Sequence, residues 1–530
     1  LESWSPAGGD FFLFAPELAW VATLCVLMIA PLLVGRKPRT SALIVLVGMA
    51  VTGFLTLKVA SEVAPAGKSG LSPDATSGML LVDNLSVYFK FLLVIFVAGV
   101  TVLWWSCSSA TEDDAPEFFV LLAGSGLGMV LMVSTLNLLM MVVAIEFASL
   151  PSYAIVGFDK KNRRSAEASL KYLIFGAISA AIMLYGVSLI YGYCGTLNVP
   201  AIADRFADAF SAGRDRLILG FASFCVFAGI AFKISAVPFH FWCPDAFEGA
   251  KTEVTAWLSV ASKAAGLFLL LRFVTVFATS ASESAPSLVN AIAWTVGILA
   301  AITATVGNLG AYAQQSVKRM LAYSSIAHAG YMLMAAAAII VPAAGGSYDA
   351  LSAVLAYVAI YMLMNLGAFG VTAMVATDNG GDDTLPAFTG LMRRAPQLAV
   401  PMLFCLISLV GLPPFAGFMA KYWLLIALGG VNSTLCWGLI VVAVVNTLIS
   451  LWYYMRIVVA MMLKDDDKPA VDTPLGGTAL VNICAALLLL LLIFPQPLKD
   501  RADKFAGNLF NLNPATMVAY AQPETDSENP

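Results

Sequence analysis

The sequence predicts an all-α polytopic membrane protein with about fourteen transmembrane helices, on three observations. Hydrophobic residues make up 60% of the 530 residues. Charged residues make up 12%, against about 25% in an ordinary soluble domain. Runs of about 20 apolar residues, each long enough to cross a hydrocarbon core, recur along nearly the whole chain.

In chain order the runs lie at 11–34, 41–60, 80–105, 118–134, 136–158, 166–191, 216–240, 253–278, 287–312, 319–341, 350–377, 396–427, 433–463 and 475–495. Charged loops separate many of them. Arg36, Lys37 and Arg39 follow the first run, Lys68 the second, and Glu112, Asp113, Asp114 and Glu117 the third. Lys160, Lys161, Arg163 and Arg164 follow the fifth, and Arg205, Arg214 and Arg216 the sixth. Lys251 follows the seventh, Lys318 and Arg319 the ninth, and Arg393 and Arg394 the eleventh. Lys464 and Lys468 follow the thirteenth, and Lys499, Arg501 and Lys504 the fourteenth.

Alternating the loops between two faces puts 14 of these cations on one face and 7 on the other. The positive-inside rule makes the richer face cytoplasmic, so both termini are expected outside. The acidic third loop falls on the cytoplasmic face and carries little weight in the rule. Glu2 and Asp10, with no basic segment, lead the first run, so no cleaved signal peptide is expected. The last ten residues, AQPETDSENP, read as a disordered polar tail.

Metal chemistry is not indicated. There are two histidines, too few for a His-built centre, and eight scattered cysteines with no C-x-x-C spacing. The cysteines read as small hydrophobes in or beside apolar spans. The net charge of −4 lies mostly in loops, and nothing points to a nucleic-acid partner.

Two spans read as broken. A straight helix over 396–427 would measure roughly 48 Å against a core of about 30 Å. Its middle carries Gly411, Pro413, Pro414 and Gly417, which remove backbone donors and interrupt the helix. The run 216–240 ends similarly, with Pro238 five residues after Lys233. Freed backbone at membrane depth needs protein or water to satisfy it, and paired broken helices point to a transport site. Glu146 and His328 are 182 residues apart, and Lys233 and Lys421 are 188 apart. These spacings fit two copies of a five-helix unit; the odd number of spans inverts the second copy in the membrane.

Four charges lie inside apolar spans: Glu146, Lys233, Lys263 and Lys421. A charge near the bilayer centre costs about 2.5–3.5 kcal/mol on insertion scales, which a simple anchor has no reason to bear four times. Glu146 reads as a proton-binding carboxylate or as the counter-ion of a lysine, against an interhelical ion pair. Lys233 and Lys263 read as proton carriers balanced between burial and a nearby carboxylate, against snorkelling. Lys263 is deep in its span and snorkels poorly; Lys421, near an outer boundary, can snorkel, but the break beside it favours a water-filled site.

His240, seven residues after Lys233, is expected on the same helix face. It extends a relay toward water or ends the helix. His328 lies among Tyr323, Ser324, Ser325 and Tyr331, which with it can order water into a chain, or it is a satisfied interhelical histidine. Lys90, Lys171, Arg272 and Arg456 read as snorkelling or paired at helix ends, with Glu167 one turn from Lys171.

The run FKISAVPFHFWCPDAFEGAKTEVTAWLSVASKAAGL resembles the signature region of the antiporter-like subunits of respiratory complex I, the proton-translocating NADH–quinone oxidoreductase. VKRMLAYSSIAHAGYMLM and the L-x-G-x-P-P-x-x-G-F-x-x-K segment at 409–421 are similar to further motifs of that family, and the resemblance covers roughly 11–495. It implies two inverted five-helix repeats with flanking helices, broken at helices 7 and 12. It implies that Glu146 pairs with Lys233, that Lys263 is the central lysine and Lys421 the terminal one, and that His240 and His328 lie on a hydrated axis. It places NADH, FMN, iron–sulfur clusters and quinone on partner chains. Expected partners are other membrane-arm subunits, the neighbouring antiporter-like subunit M and the small subunit K, in a bacterial inner (plasma) membrane with both termini periplasmic.

The expected organisation is helices 1–3 over 1–117, a first repeat over 118–278, a second over 287–463, helix 14 at 475–495 and a polar tail over 496–530. The expected function is proton translocation coupled to redox chemistry on other chains, with no catalytic, cofactor-binding or metal-binding residue here. Two alternatives share the lysine pattern: a subunit of a multisubunit cation/proton antiporter, and a purely structural membrane subunit.

Overall fold

The computed structural model describes residues 12–66, 79–107, 114–213, 215–281, 285–341, 346–464 and 469–510. Thirteen helices among them are long and apolar enough to cross a membrane. Two shorter apolar helices, Pro396–Val410 and Ala416–Gly430, together make one further, interrupted crossing. That gives the fourteen spans the sequence predicts, numbered here in chain order.

Polar caps set several boundaries. Asn137 accepts from the backbone N–H of Leu139 and Met140 at 2.9 and 3.2 Å, starting the fifth span. Asn162 caps the sixth through Arg164 N, and Ser316 caps the tenth through Arg319 N. Each side chain satisfies a donor that the first turn leaves open.

Loops on each face meet their own kind. On one face Asp114 pairs with Lys160 at 3.2 Å and Glu117 pairs with Arg36, so the acidic third loop neutralises basic loops beside it. On the other, Leu81 N donates to Ser134 O and Leu138 N to Leu197 O. The predicted polar tail AQPETDSENP lies outside the described residues.

Helices at Val199–Ser211 and Gln496–Phe510 were not foreseen. Val199–Ser211 follows the sixth span and buries Val199, Ile202, Ala203, Phe206 and Ala207, one stripe of a short amphipathic helix. Asp204, Arg205 and Asp208 interrupt its apolar run, so a membrane-length hydropathy reading passes over it. Gln496–Phe510 is helical where a polar tail was expected. Lys499 and Asp503 pair at 2.5 Å, Tyr348 Oη donates to Asp503 O at 2.7 Å, and Ala502 and Ala506 are buried. Small buried residues on a charged helix leave a weak sequence signal.

Spans 8, 10 and 11 form the centre: 94% of an 18-residue stretch of each is buried, against 22% in the first span and 28% in the fourteenth. Glycines let helices approach backbone to backbone. A Cβ on Gly128 would lie 2.4 Å from Ala148 N, between spans 4 and 5. A Cβ on Gly330 would lie 2.4 Å from Ala304 N, between spans 9 and 10. The same close packing therefore joins both pairs of spans that the repeat reading sets in correspondence.

Candidate functional site

In each broken span the first half ends beside a buried lysine ammonium, Lys233 on that half and Lys421 reaching back from the second half. The helix Arg216–Ile234 stops one residue after Lys233; Ser235 takes φ +61° and the chain resumes helix at Trp242–Gly249. The seventh span is therefore shorter than 216–240. Lys233 and His240 do not share a helix face as expected, because residues 235–241 are not helical. Pro238, with no N–H to donate, lies in that segment.

Lys233 is buried at 1% exposure, and its ammonium has no hydrogen-bond partner among the described residues. Its charged neighbour is Glu146, which is partly buried on the fifth span. Burial excludes snorkelling. Gly266 on the eighth span makes room for it, since a Cβ there would stand 3.0 Å from Lys233 Cβ.

Lys263 is fully buried directly after a π-helical turn, Leu258–Ser262. Such a turn re-aims the side chain that follows it and recurs at functional sites. The Lys263 ammonium donates to Ser325 Oγ on the tenth span and lies 3.4 Å from Cys243 Sγ on the short helix. The Phe247 ring centroid is 5.4 Å away. His240 is buried with Lys263 as its charged neighbour, and its Nδ1 has no partner among the described residues.

Ser325, His328 and Tyr331 are spaced by three along the tenth span, so they share one face. His328 Nδ1 is 2.8 Å from Tyr357 Oη, and both Lys421 and Lys263 act on it electrostatically. Lys421 lies over the Tyr331 ring at 4.5 Å. The face thus runs from one lysine to the other, with the histidine between.

Lys421 does not snorkel. Its ammonium turns back to donate to Val410 O at 2.8 Å and Thr447 Oγ1 at 3.2 Å. Val410 ends the first half of the twelfth span, where open carbonyls and the helix dipole favour a cation. Gly411 follows at φ +83°, and a Cβ there would lie 2.6 Å from Lys421 Cδ. Only glycine fits both the backbone and the lysine.

A family described as the transmembrane region of NADH:quinone oxidoreductase and Mrp antiporter proteins matches residues 135–450. The chain belongs to that family. NADH-quinone oxidoreductase subunit N 2 of Sorangium cellulosum is 39% identical over 492 residues, covering 90% of this chain and 94% of that protein. A chain of respiratory complex I from Thermus thermophilus is 30% identical with a TM-score of 0.73, covering 92% of this chain and 98% of its own. A chain of the Mrp complex from Dietzia, 19% identical, has a TM-score of 0.78 over 96% of this chain and 99% of its own, a likeness of fold alone.

Around the six candidates, this member of the NADH:quinone oxidoreductase/Mrp family uses uncharged groups that the sequence did not single out. Cys243, read as a small hydrophobe, contacts Lys263. Asn308 Nδ2 lies 3.3 Å from Tyr331 Oη and 3.1 Å from Asn446 Oδ1, and Tyr453 Oη donates to Asn308 Oδ1 at 3.0 Å. The available signal was polar side chains within apolar spans, but serine, threonine and asparagine there are common enough to pass unnoticed.

The other four charges weighed in the sequence each meet a partner. Lys90 pairs with Glu17, both buried. Arg272 holds both oxygens of Asp83 at 2.8 Å and donates to Val133 O. Lys171 pairs with Glu167 at 2.9 Å and Asp245 at 3.0 Å, and Arg456 donates to Tyr312 O. Among the described residues, no three His, Cys, Asp or Glu side chains cluster to hold a metal.

Proposed function

We propose that the chain is the proton-translocating subunit N of the membrane arm of a bacterial NADH–quinone oxidoreductase. The observation that carries this reading is the linkage of Lys263 to Lys421 through Ser325, His328 and Tyr331 on one face of the tenth span. Glu146 is the counter-charge of Lys233, Lys263 the central carrier and Lys421 the terminal one. His240 and His328 hand protons along the axis, with water completing the gap between Lys233 and Lys263. Spans 4–8 and 9–13 act as two inverted half-channels, one for each broken helix.

Movement of Glu146 relative to Lys233 changes how well that ammonium is compensated, which changes its readiness to give up a proton. The change passes to Lys263 and through the tenth span to Lys421, an electrostatic coupling between sites with two states each. NADH, FMN, iron–sulfur clusters and quinone belong to partner chains, and subunits M and K are the expected neighbours. The richer cationic face is cytoplasmic, which puts both termini in the periplasm. The relatives named NADH-quinone oxidoreductase favour this reading over a cation/proton antiporter, which the family description also covers. Gentle purification from native membranes tests it. Copurification with flavin- and cluster-bearing chains is expected; recovery in a cluster-free assembly that exchanges cations for protons without NADH would establish the antiporter instead.

A further inference from the structure

The short helix Trp242–Gly249 is clamped at its surface end by ions. Arg319 Nη1 lies 2.9 Å from Asp245 Oδ1 and also bonds the Glu248 carboxylate. Asp245 Oδ2 accepts from Lys171 of the sixth span at 3.0 Å. Lys318 donates to the carbonyls of Glu248 and Ala250 at 3.3 and 3.2 Å. Gly249 is packed onto the sixth span, where a Cβ would lie 2.6 Å from Arg164 O. The clamp borders an open cleft of ≈ 240 Å³.

The same elements hold Lys263. Cys243 is two residues before Asp245, and Ser325 is six residues after Arg319. The two hydrogen-bond partners of Lys263 therefore stand on the two elements that the Asp245–Arg319 pair joins. Arg319 and Asp245 keep 28% and 30% of their side chains exposed, whereas Arg272 and Asp83 keep 2% and 6%. Pairs that water reaches are individually weak and screened by salt, so the clamp can open where a fully buried pair would hold.

We propose that Asp245 and Arg319 are positioning residues for Lys263: their ion pair is a latch that holds the short helix against the tenth span and closes Lys263 from water on that face. The inference rests on reading Lys263 as a proton carrier. Opening the latch separates Cys243 from Ser325 and lets water reach the ammonium.

Cys243 reports on the latch. It is fully buried, as is Cys405 on the twelfth span, away from the clamp. Assembled complex is treated with a small water-soluble thiol reagent, and labelling of each cysteine is read by mass spectrometry. Asp245→Asn and Arg319→Gln are expected to speed Cys243 labelling several-fold with Cys405 unchanged. The charge-keeping variant Arg319→Lys is expected to retain much of the protection. Unchanged Cys243 labelling, or a rise shared by Cys405, would overturn the latch. Should the single variants fail to assemble, the native complex is compared at low and high salt: Cys243 labelling must rise with salt, and a flat response sinks the idea. Proton translocation by Lys263→Ala is measured separately. Loss there with unchanged Cys243 labelling defeats the latch alone, while a responsive Cys243 with intact translocation defeats the proton-carrier reading.

Discussion

Lys263 donates a hydrogen bond to Ser325, which stands one helical turn before His328. The contact joins the eighth span to the tenth and brings the central lysine to the face that leads to Lys421. Replacing Ser325 with alanine removes a hydrogen bond to a charged group, worth about 1.5–3 kcal/mol. The expected outcome is an assembled complex with normal NADH oxidation by its soluble chains and fewer protons moved per electron pair. Ser325→Thr, which keeps the hydroxyl, should recover most of the loss in the same proteoliposome assay.

Gly411 combines a left-handed backbone with close approach to Lys421. Gly411→Ala adds about 1–2 kcal/mol of backbone strain and a side-chain overlap. Translocation should fall more than assembly does, because the lysine stem must shift away from Val410 O. Proton translocation measured beside the yield of assembled complex checks this.

Arg272 and Asp83 form a buried two-pronged pair near the end of the eighth span. Asp83→Ala leaves the guanidinium uncompensated, a cost of about 3–5 kcal/mol. The variant should assemble poorly or lose thermal stability. The double variant Asp83→Ala with Arg272→Leu should regain much of it, read by thermal shift in detergent.

Glu146 is the opposite charge acting on the otherwise unpartnered Lys233. Glu146→Gln should lower proton translocation by at least severalfold, whereas Glu146→Asp should retain part of it. Equal translocation by the glutamine variant and the native complex would remove the pair from the mechanism.

Much of this arrangement was legible in the sequence because its signals are strong. A charge within an apolar run, as at Lys263, is costly enough to stand out, and the prolines after Val410 and Ser235 mark the breaks. Depth could not be judged from position in a run. Lys421 is near an outer boundary, yet the break lets its side chain turn inward to Val410 O. His240 was misplaced because the helix was assumed to continue past Ile234. Cys243, Thr447 and Tyr357 were missed because nothing local separates a hydroxyl or thiol that meets a lysine from one that meets its own helix backbone. Only the packing of distant spans decides it, as the 62-residue separation of Lys263 and Ser325 illustrates.

The central claim is that buried lysines carry protons, and Lys263 tests it most directly. Lys263→Ala is introduced, the assembled complex is reconstituted into proteoliposomes, and protons moved per NADH oxidised are measured against the native complex. The account predicts a clearly lower ratio with assembly retained. A ratio equal to that of the native complex would contradict it.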